Sequence, residues 1–217
     1  MNLALPLDRQ PAGTPVVETL AAGTRLVRVH GDHPADAFNP TPQPSRLRGG
    51  RFDSLDGDWA STYLGEDGRA AVAETLCRDL PVGGAARLVP RSRLVGRRIS
   101  TVEVVRDLPV LVLHGAALTQ VGAPLDLTKS SAGEYLTTRA WARALRLWLP
   151  DVAGFRYRCR HDEDLLAHVL FDDGPDAATP RARGALQVVP ESTLSLETVA
   201  GLALVMEVLR AHNATLA

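Results

Sequence analysis

The chain has 217 residues, a formal net charge of -1, 45% hydrophobic residues and 23% charged residues. These proportions exclude a disordered chain, which needs fewer apolar residues and more net charge. The near-zero charge argues against broad electrostatic capture of nucleic acid, which needs a basic face. Of the 24 cationic side chains, 23 are arginine, and Lys129 is the sole lysine. Arginine is the side chain suited to forked contacts with phosphate. A GC-rich genome encoding Arg in place of Lys produces the same count, so composition leaves both readings open.

The length fits one domain with decorations and is enough to bury a core. Cys77 and Cys159 make neither a disulfide framework nor a zinc site. MNLALPLDRQ lacks the basic start and apolar run of a secretion signal, and no apolar stretch nears the ~20 residues of a membrane span. The expectation is a protein of the reducing cytoplasm with no membrane contact.

In chain order, residues 1–22 hold Pro6, Pro11 and Pro15 without clean periodicity and read as a loosely attached arm. A domain over 23–217 follows. A first strand is predicted at about 24–30, where Leu26, Arg28 and His30 alternate with Val27 and Val29. A long loop, 31–50, carries Pro34, Pro40, Pro42 and Pro44 and ends in Gly49-Gly50-Arg51-Phe52; loops of that length are usually functional. Ser61–Leu64 reads as a short strand. Asp67 is the predicted N-cap of a helix running to about Asp79 and stopped by Pro81. Residues 85–121 look β-rich, with Ile99, Val102, Val104, Val105 and the run 109–113.

A second helix starts with the capping box Ser131-Ala-Gly-Glu134 and runs to about Leu149, with Tyr135, Thr138, Ala142, Leu145 and Leu149 as its stripe. Strands are predicted at 155–159 and 165–171, a loop at 172–184 and a further strand at 186–189. The last helix, about 196–212, is capped by Ser195, with Val199, Leu202, Met206 and Leu209 facing inward. This order predicts a single α+β domain, not a regular βαβ winding.

Neither a P-loop nor a Rossmann fingerprint is present, nor H-E-x-x-H or G-x-S-x-G. His161 and His168 lack the cysteine partners of a zinc site, so no metal is expected. What remains is a scattered polar set. Arg28 sits between apolar neighbours, where alternation alone also accounts for it. Gly50 and Arg51 put a guanidinium beside backbone that can approach a ligand closely. Phe52 and Tyr63 are aromatic candidates for stacking on a planar ring. Glu74 stands in the small-residue run Ala70-Ala71-Val72-Ala73, where a buried unpaired carboxylate is costly, so it faces a partner or a cleft or lies on a solvated helix face. Tyr157-Arg158-Cys159-Arg160-His161-Asp162 puts a thiol and dense charge at a strand end, where a buried cysteine acting as a small hydrophobe accounts for it equally.

The order of these pieces resembles the RES-domain family, named for an arginine, a glutamate and a serine. The resemblance covers roughly residues 24–172 and rests on GGRF at 49–52, STYLGEDGRAAVAE at 61–74 and FRYRCRHD at 155–162. It implies a fold similar to the diphtheria-toxin-like ADP-ribosyltransferases, with helices flanking a split, mostly antiparallel β core. It also implies action on NAD+, by phosphorolysis or hydrolysis of the nicotinamide–ribose bond, or by transfer of ADP-ribose to protein. NAD+ is then a substrate, with phosphate as a co-substrate of the first route. Many family members are toxins held inactive by an antitoxin with an Xre-like helix-turn-helix.

By motif match the family arginine falls on Arg28, the glutamate on Glu74 and the tyrosine on Tyr63, with Arg51 a second cleft cation. The family serine position holds Cys159. Catalytic roles are thereby implied for Arg28, Glu74 and Cys159. Contacts to the dinucleotide are implied for Arg28, Gly50, Arg51, Phe52, Tyr63 and Arg160. A thiol is a weaker hydrogen-bond partner than a hydroxyl, so a module that binds NAD+ without turnover is the alternative. The other twenty arginines, the Arg91–Arg98 cluster included, are expected to be surface charge.

Overall fold

The computed structural model describes residues 3–45, 48–81, 83, 86–178 and 181–217. Positions 1–2 of the predicted arm, 46–47 and 179–180 of the predicted loops, and 85 of the predicted β-rich stretch lie outside them.

Among the described residues, eleven strands and four α-helices alternate irregularly, as an α+β domain with a largely antiparallel sheet. The main sheet runs β1 (Val17–Leu20), β6 (Leu108–Leu113), β7 (Gly154–Arg158), β8 (Leu166–Asp172), β3 (Ala60–Gly65), β2 (Arg25–His30), β5 (Arg98–Val104) and β10 (Leu194–Ser195), with β9 (Leu186–Val188) also on β5. Among these neighbours only β6 and β7 run parallel. A small parallel pair joins β4 (Leu88–Val89) to β11 (Thr215–Leu216).

Alternating side chains supply two apolar clusters, one per sheet face. On β6, Leu108 and Val110 enter one cluster while Leu111 and Leu113 enter the other; on β8, Leu170 opposes Val169 and Phe171. Phe155 packs edge-on against Phe52 at 5.5 Å and Phe171 at 4.9 Å, contacts each worth about 0.5–1.5 kcal/mol beyond their buried area.

The sheet is nearly divided. β2 pairs with β5 along its whole length, yet it meets β3 at a single bridge, Val27 to Gly65. The two half-sheets therefore diverge beyond that bridge, and the gap becomes a cleft. Gly65 is needed there because α1 (Gly68–Val72) rests directly on it. A Cβ at Gly65 would lie 2.4 Å from the Ala71 nitrogen.

The helices arise much as their sequence signals suggest. Asp67 caps α1 by accepting from the Ala70 N–H at 2.7 Å. The helix then passes into a π-helical turn, Ala73–Cys77. A short α2 (Ala117–Gln120) interrupts the stretch predicted to be β-rich. The Ser131 N–H donates to Glu134 Oε2 at 3.2 Å, and after that 3₁₀ turn α3 spans Tyr135–Trp148. The last helix, α4, spans Val199–Ala211 and is capped by Thr198, not Ser195, whose backbone is held in β10 against Arg98.

Residues 3–20 are not a loose arm. β1 pairs with β6 through four residues, and Trp141 Nε1 donates to the Ala4 carbonyl at 2.7 Å. Burying Trp141 requires a partner for its N–H, and the N-terminal segment supplies it. No helix among the described residues is long and apolar enough to cross a membrane.

The expectation that all but three arginines are surface charge also fails. Arg139, Arg146 and Arg181 are buried. Arg146 and Arg181 both pair with Asp173, and Arg146 lies 4.0 Å over the Trp59 ring. A guanidinium tolerates such places because its five donors can be matched by carbonyls and carboxylates, while its flat face stacks on aromatics.

Candidate active site

The cleft at the sheet divide has a volume of about 560 Å³, within the range of small-molecule sites. Arg28 from β2, Gly50 and Arg51 from the loop between β2 and β3, Tyr63 from β3 and Glu74 from the π turn all line it, together with Tyr157 from β7.

Glu74 is the centre of this arrangement. Tyr157 donates to its Oε2 at 3.3 Å, the Arg160 backbone N–H donates to its Oε1 at 2.8 Å, and Arg51 Nη1 lies 3.6 Å from Oε2. Its side chain remains 11% exposed, so the carboxylate is oriented but still reachable. Burial raises the Tyr157 pKa well above its ordinary value and Glu74 adds to this, so the phenol stays a donor. Helical π turns concentrate at functional sites, and this one places Glu74 at its second residue.

Arg51 does not project as a phosphate clamp. It is 1% exposed and lies over the Tyr157 and Phe52 rings, with Glu74 as its carboxylate partner. Burial opposes its charge, but Glu74 and the neighbouring tyrosines outweigh that and raise its pKa. Its Nε and Nη2 find no hydrogen-bond partner among the described residues.

Arg28 has a different environment. It is 8% exposed, and its Nη1 donates to the carbonyls of Ala35 (2.9 Å) and Ala37 (2.5 Å). Burial lowers its pKa to about 10 against the pull of Asp36. It stays charged at neutral pH, with no carboxylate within 4 Å among the described residues.

Tyr63 is pinned at its hydroxyl. It donates to Asp53 Oδ1 at 2.9 Å and accepts from the Phe52 N–H at 2.8 Å. Ser61 and the Gly50 N–H also donate to Asp53. Gly50 has to be glycine because a Cβ there would lie 2.4–2.6 Å from the Tyr63 ring and hydroxyl. The loop is fixed from the other side by α3. Thr138 Oγ1 donates to the Arg51 carbonyl at 2.6 Å. Arg139 donates to the carbonyls of Gly50, Gln43, Ser45 and Arg48.

Three expected contacts are corrected. Phe52 is fully buried, edge-on to Phe155 and Tyr157, and so does not stack on a ligand ring. The Arg160 guanidinium is occupied by the Lys129 and Arg78 carbonyls, leaving its backbone N–H as the group that reaches Glu74. Cys159 is 1% exposed, its Sγ sits 3.9 Å from the Ala70 carbonyl, and it is not part of the cleft lining. Burial pushes its thiol far up, with Glu74 and Asp162 adding to the effect. Cys77 is pushed up to about 12, mainly by burial. Both thiols are therefore inert. A disulfide-exchange reagent at pH 8 is expected to find no fast-reacting thiol in the folded protein and two after unfolding. Cys159→Ser is expected to change stability by no more than about 1.5 kcal/mol, being nearly volume-conserving with an acceptor at hand. A fast native thiol would contradict this placement.

Sequence reasoning missed Tyr157, Asp53 and Arg139. Tyr157 lay inside a quoted motif and Asp53 directly follows GGRF, so adjacency was a usable signal for both. Arg139 carried none, because a cation on an amphipathic helix is normally solvent-facing. Arg93 and Arg97, from the cluster read as surface charge, also line the cleft.

The RES domain family model matches residues 25–195. The chain belongs to the RES-domain family. The matched span contains every residue of the cleft just described, from Arg28 to Tyr157 and Ala167. Membership of the RES family is consistent with a toxin–antitoxin-associated module. Comparison with curated proteins finds no match.

Proposed function

We propose that this RES protein consumes NAD+ by cleaving the bond between nicotinamide and ribose, as the toxin of a toxin–antitoxin pair. The observation that carries the reading is the Glu74 carboxylate, fixed by Arg51, Tyr157 and the Arg160 N–H at the wall of an arginine-lined cleft. Family membership and the divided, largely antiparallel sheet support likeness to the ADP-ribosyltransferase fold.

As the C1′–N1 bond of NAD+ breaks, its electron pair goes to the pyridinium nitrogen and nicotinamide leaves neutral. No strong general acid is needed. Positive charge develops at C1′ as in glycoside hydrolysis, and a fixed carboxylate stabilises it. In this reading Glu74 takes that task. Arg28, charged and with no carboxylate within 4 Å among the described residues, suits a phosphate of the dinucleotide. Tyr63, held at its hydroxyl, offers its ring to the cleft as a stacking platform. An incoming phosphate or water oxygen then bonds to C1′. The thiol at Cys159 faces the core, so its replacement of serine removes no contact to the cleft; this favours turnover over a module that only binds. The partner expected for the toxin is a protein with an Xre-like helix-turn-helix.

The test incubates the purified protein with NAD+, with and without phosphate, and reads products by mass spectrometry. The expected result is free nicotinamide with ADP-ribose or its 1″-phosphate. Intact NAD+ sinks the reading, and ADP-ribose attached to protein replaces it with the transferase.

A further inference from the structure

The cleft is lined by five arginines, Arg28, Arg51, Arg78, Arg93 and Arg97, against two carboxylates, Asp53 and Glu74, in a chain of net charge -1. Several of these charges are already answered. Asp53 is held by neutral donors, and Glu74 faces Arg51. Asp79, just outside the lining, lies 3.4 Å from Arg78 Nε and 3.6 Å from Arg93 Nη1. Arg93 is further fixed by donating from Nη2 to the Thr75 carbonyl at 2.9 Å, one residue from Glu74.

Arg97 is different. It is half-buried in the lining, and no carboxylate lies within 4 Å of it among the described residues. Burial lowers its pKa, and the like charges of Arg93 and Arg78 lower it further. Asp79 answers Arg78 and Arg93 but is not within ion-pair distance of Arg97. Guanidiniums gathered on a cleft wall with one left uncompensated form an arrangement that an anion completes.

The corner is also separate from Arg28. The register sets Arg28 opposite Ser100 and His30 opposite Arg98. Arg97 thus stands three residues along the chain from the partner of Arg28, about 10 Å away at roughly 3.3 Å per residue. We propose that Arg97, flanked by Arg93 and Arg78, forms a second phosphoryl-binding subsite at the β5 entrance of the cleft. A phosphoryl group fits it better than a carboxylate, because several oxygens can each accept from a different guanidinium. The source is either inorganic phosphate, the acceptor, or a phosphate of the dinucleotide itself. The subsite rests on the NAD+ reading only for the choice between these sources.

Calorimetric titration of inorganic phosphate and of ADP-ribose into the parent, Arg97→Gln and Arg97→Lys proteins tests this without needing turnover. Arg97 donates no side-chain hydrogen bond to the described residues, so the variants are expected to melt within about 2 °C of the parent. Arg97→Gln is expected to weaken the bound probe about tenfold or more, with Arg97→Lys between the two. Weakened phosphate binding assigns the subsite to the acceptor. Weakened ADP-ribose binding with no phosphate bound assigns it to the dinucleotide. Unchanged affinity for both probes in Arg97→Gln, or no binding of either by the parent, overturns it. A parent that binds phosphate through Arg97 yet leaves NAD+ intact refutes the proposed reaction and keeps the subsite.

Discussion

Glu74→Gln is expected to lower NAD+ turnover by at least about 100-fold, the scale on which losing a preorganised charge at a developing cation is felt. The amide keeps the shape and an acceptor for the Arg160 N–H, but it loses the negative charge that faces C1′ in the proposed reaction. The same change strands Arg51, a 1% exposed guanidinium whose carboxylate partner is Glu74. Breaking a buried pair from one side costs about 3–5 kcal/mol. For a domain of this size that is a fall of roughly 6–20 °C in Tm.

Activity and folding therefore need separating. Circular dichroism at the assay temperature identifies conditions in which the variant is still folded. An Arg51→Met/Glu74→Gln double variant removes both partners, and is expected to recover part of the lost stability and none of the turnover. A folded Glu74→Gln protein that consumed NAD+ at the parent rate would remove Glu74 from the reaction.

Arg139→Met should be strongly destabilising, although Arg139 lies outside the cleft lining. Its guanidinium is fully buried and serves four loop carbonyls, those of Gly50, Gln43, Ser45 and Arg48. Methionine fills much of the volume and donates nothing. The Gly50 carbonyl is buried, and a buried acceptor left without a donor costs about 1–3 kcal/mol; the Gln43, Ser45 and Arg48 carbonyls are partly open to water and cost less, so a loss of about 3 kcal/mol is expected. That corresponds to a Tm lower by roughly 6–12 °C. The loop also carries Gly50, against which Tyr63 packs, and Arg51, which faces Glu74. The variant should therefore bind NAD+ more weakly as well, and hydrogen exchange at the amides of residues 48–52 should rise. A Tm within about 2 °C of the parent would show that the loop holds its shape without Arg139.

Arg28, Tyr63 and Glu74, which the resemblance singled out, line one cleft although they are far apart in sequence. Each lies in a short, ordered motif, and each motif is a local structure: alternation in β2 and β3, and an Asp67-capped helix leading to Glu74. Local signals of that kind survive in one dimension, because strand period, capping and proline placement act over a few residues. The N-terminal segment failed for the complementary reason. Its prolines suppress periodicity, while its order comes from β6, about ninety residues away, and from Trp141, 137 residues away.

The arginines mark the boundary between the two kinds of information. Sequence alone determined that all but one of the Lys and Arg cations are guanidiniums, that the net charge is close to zero, and that the chain reads as an α+β domain with a strand–loop–strand–helix order leading to Glu74. It could not say which guanidiniums are buried, because burial is set by partners distant in the chain. Tertiary structure placed Arg139 under the loop, Arg146 and Arg181 on Asp173, and Arg51 against Glu74. It also brought Arg93 and Arg97 to the cleft and turned Cys159 away from it. A forked cation is stable in such positions only when carbonyls, carboxylates or a bound anion meet its donors, and folding alone decides where those acceptors stand.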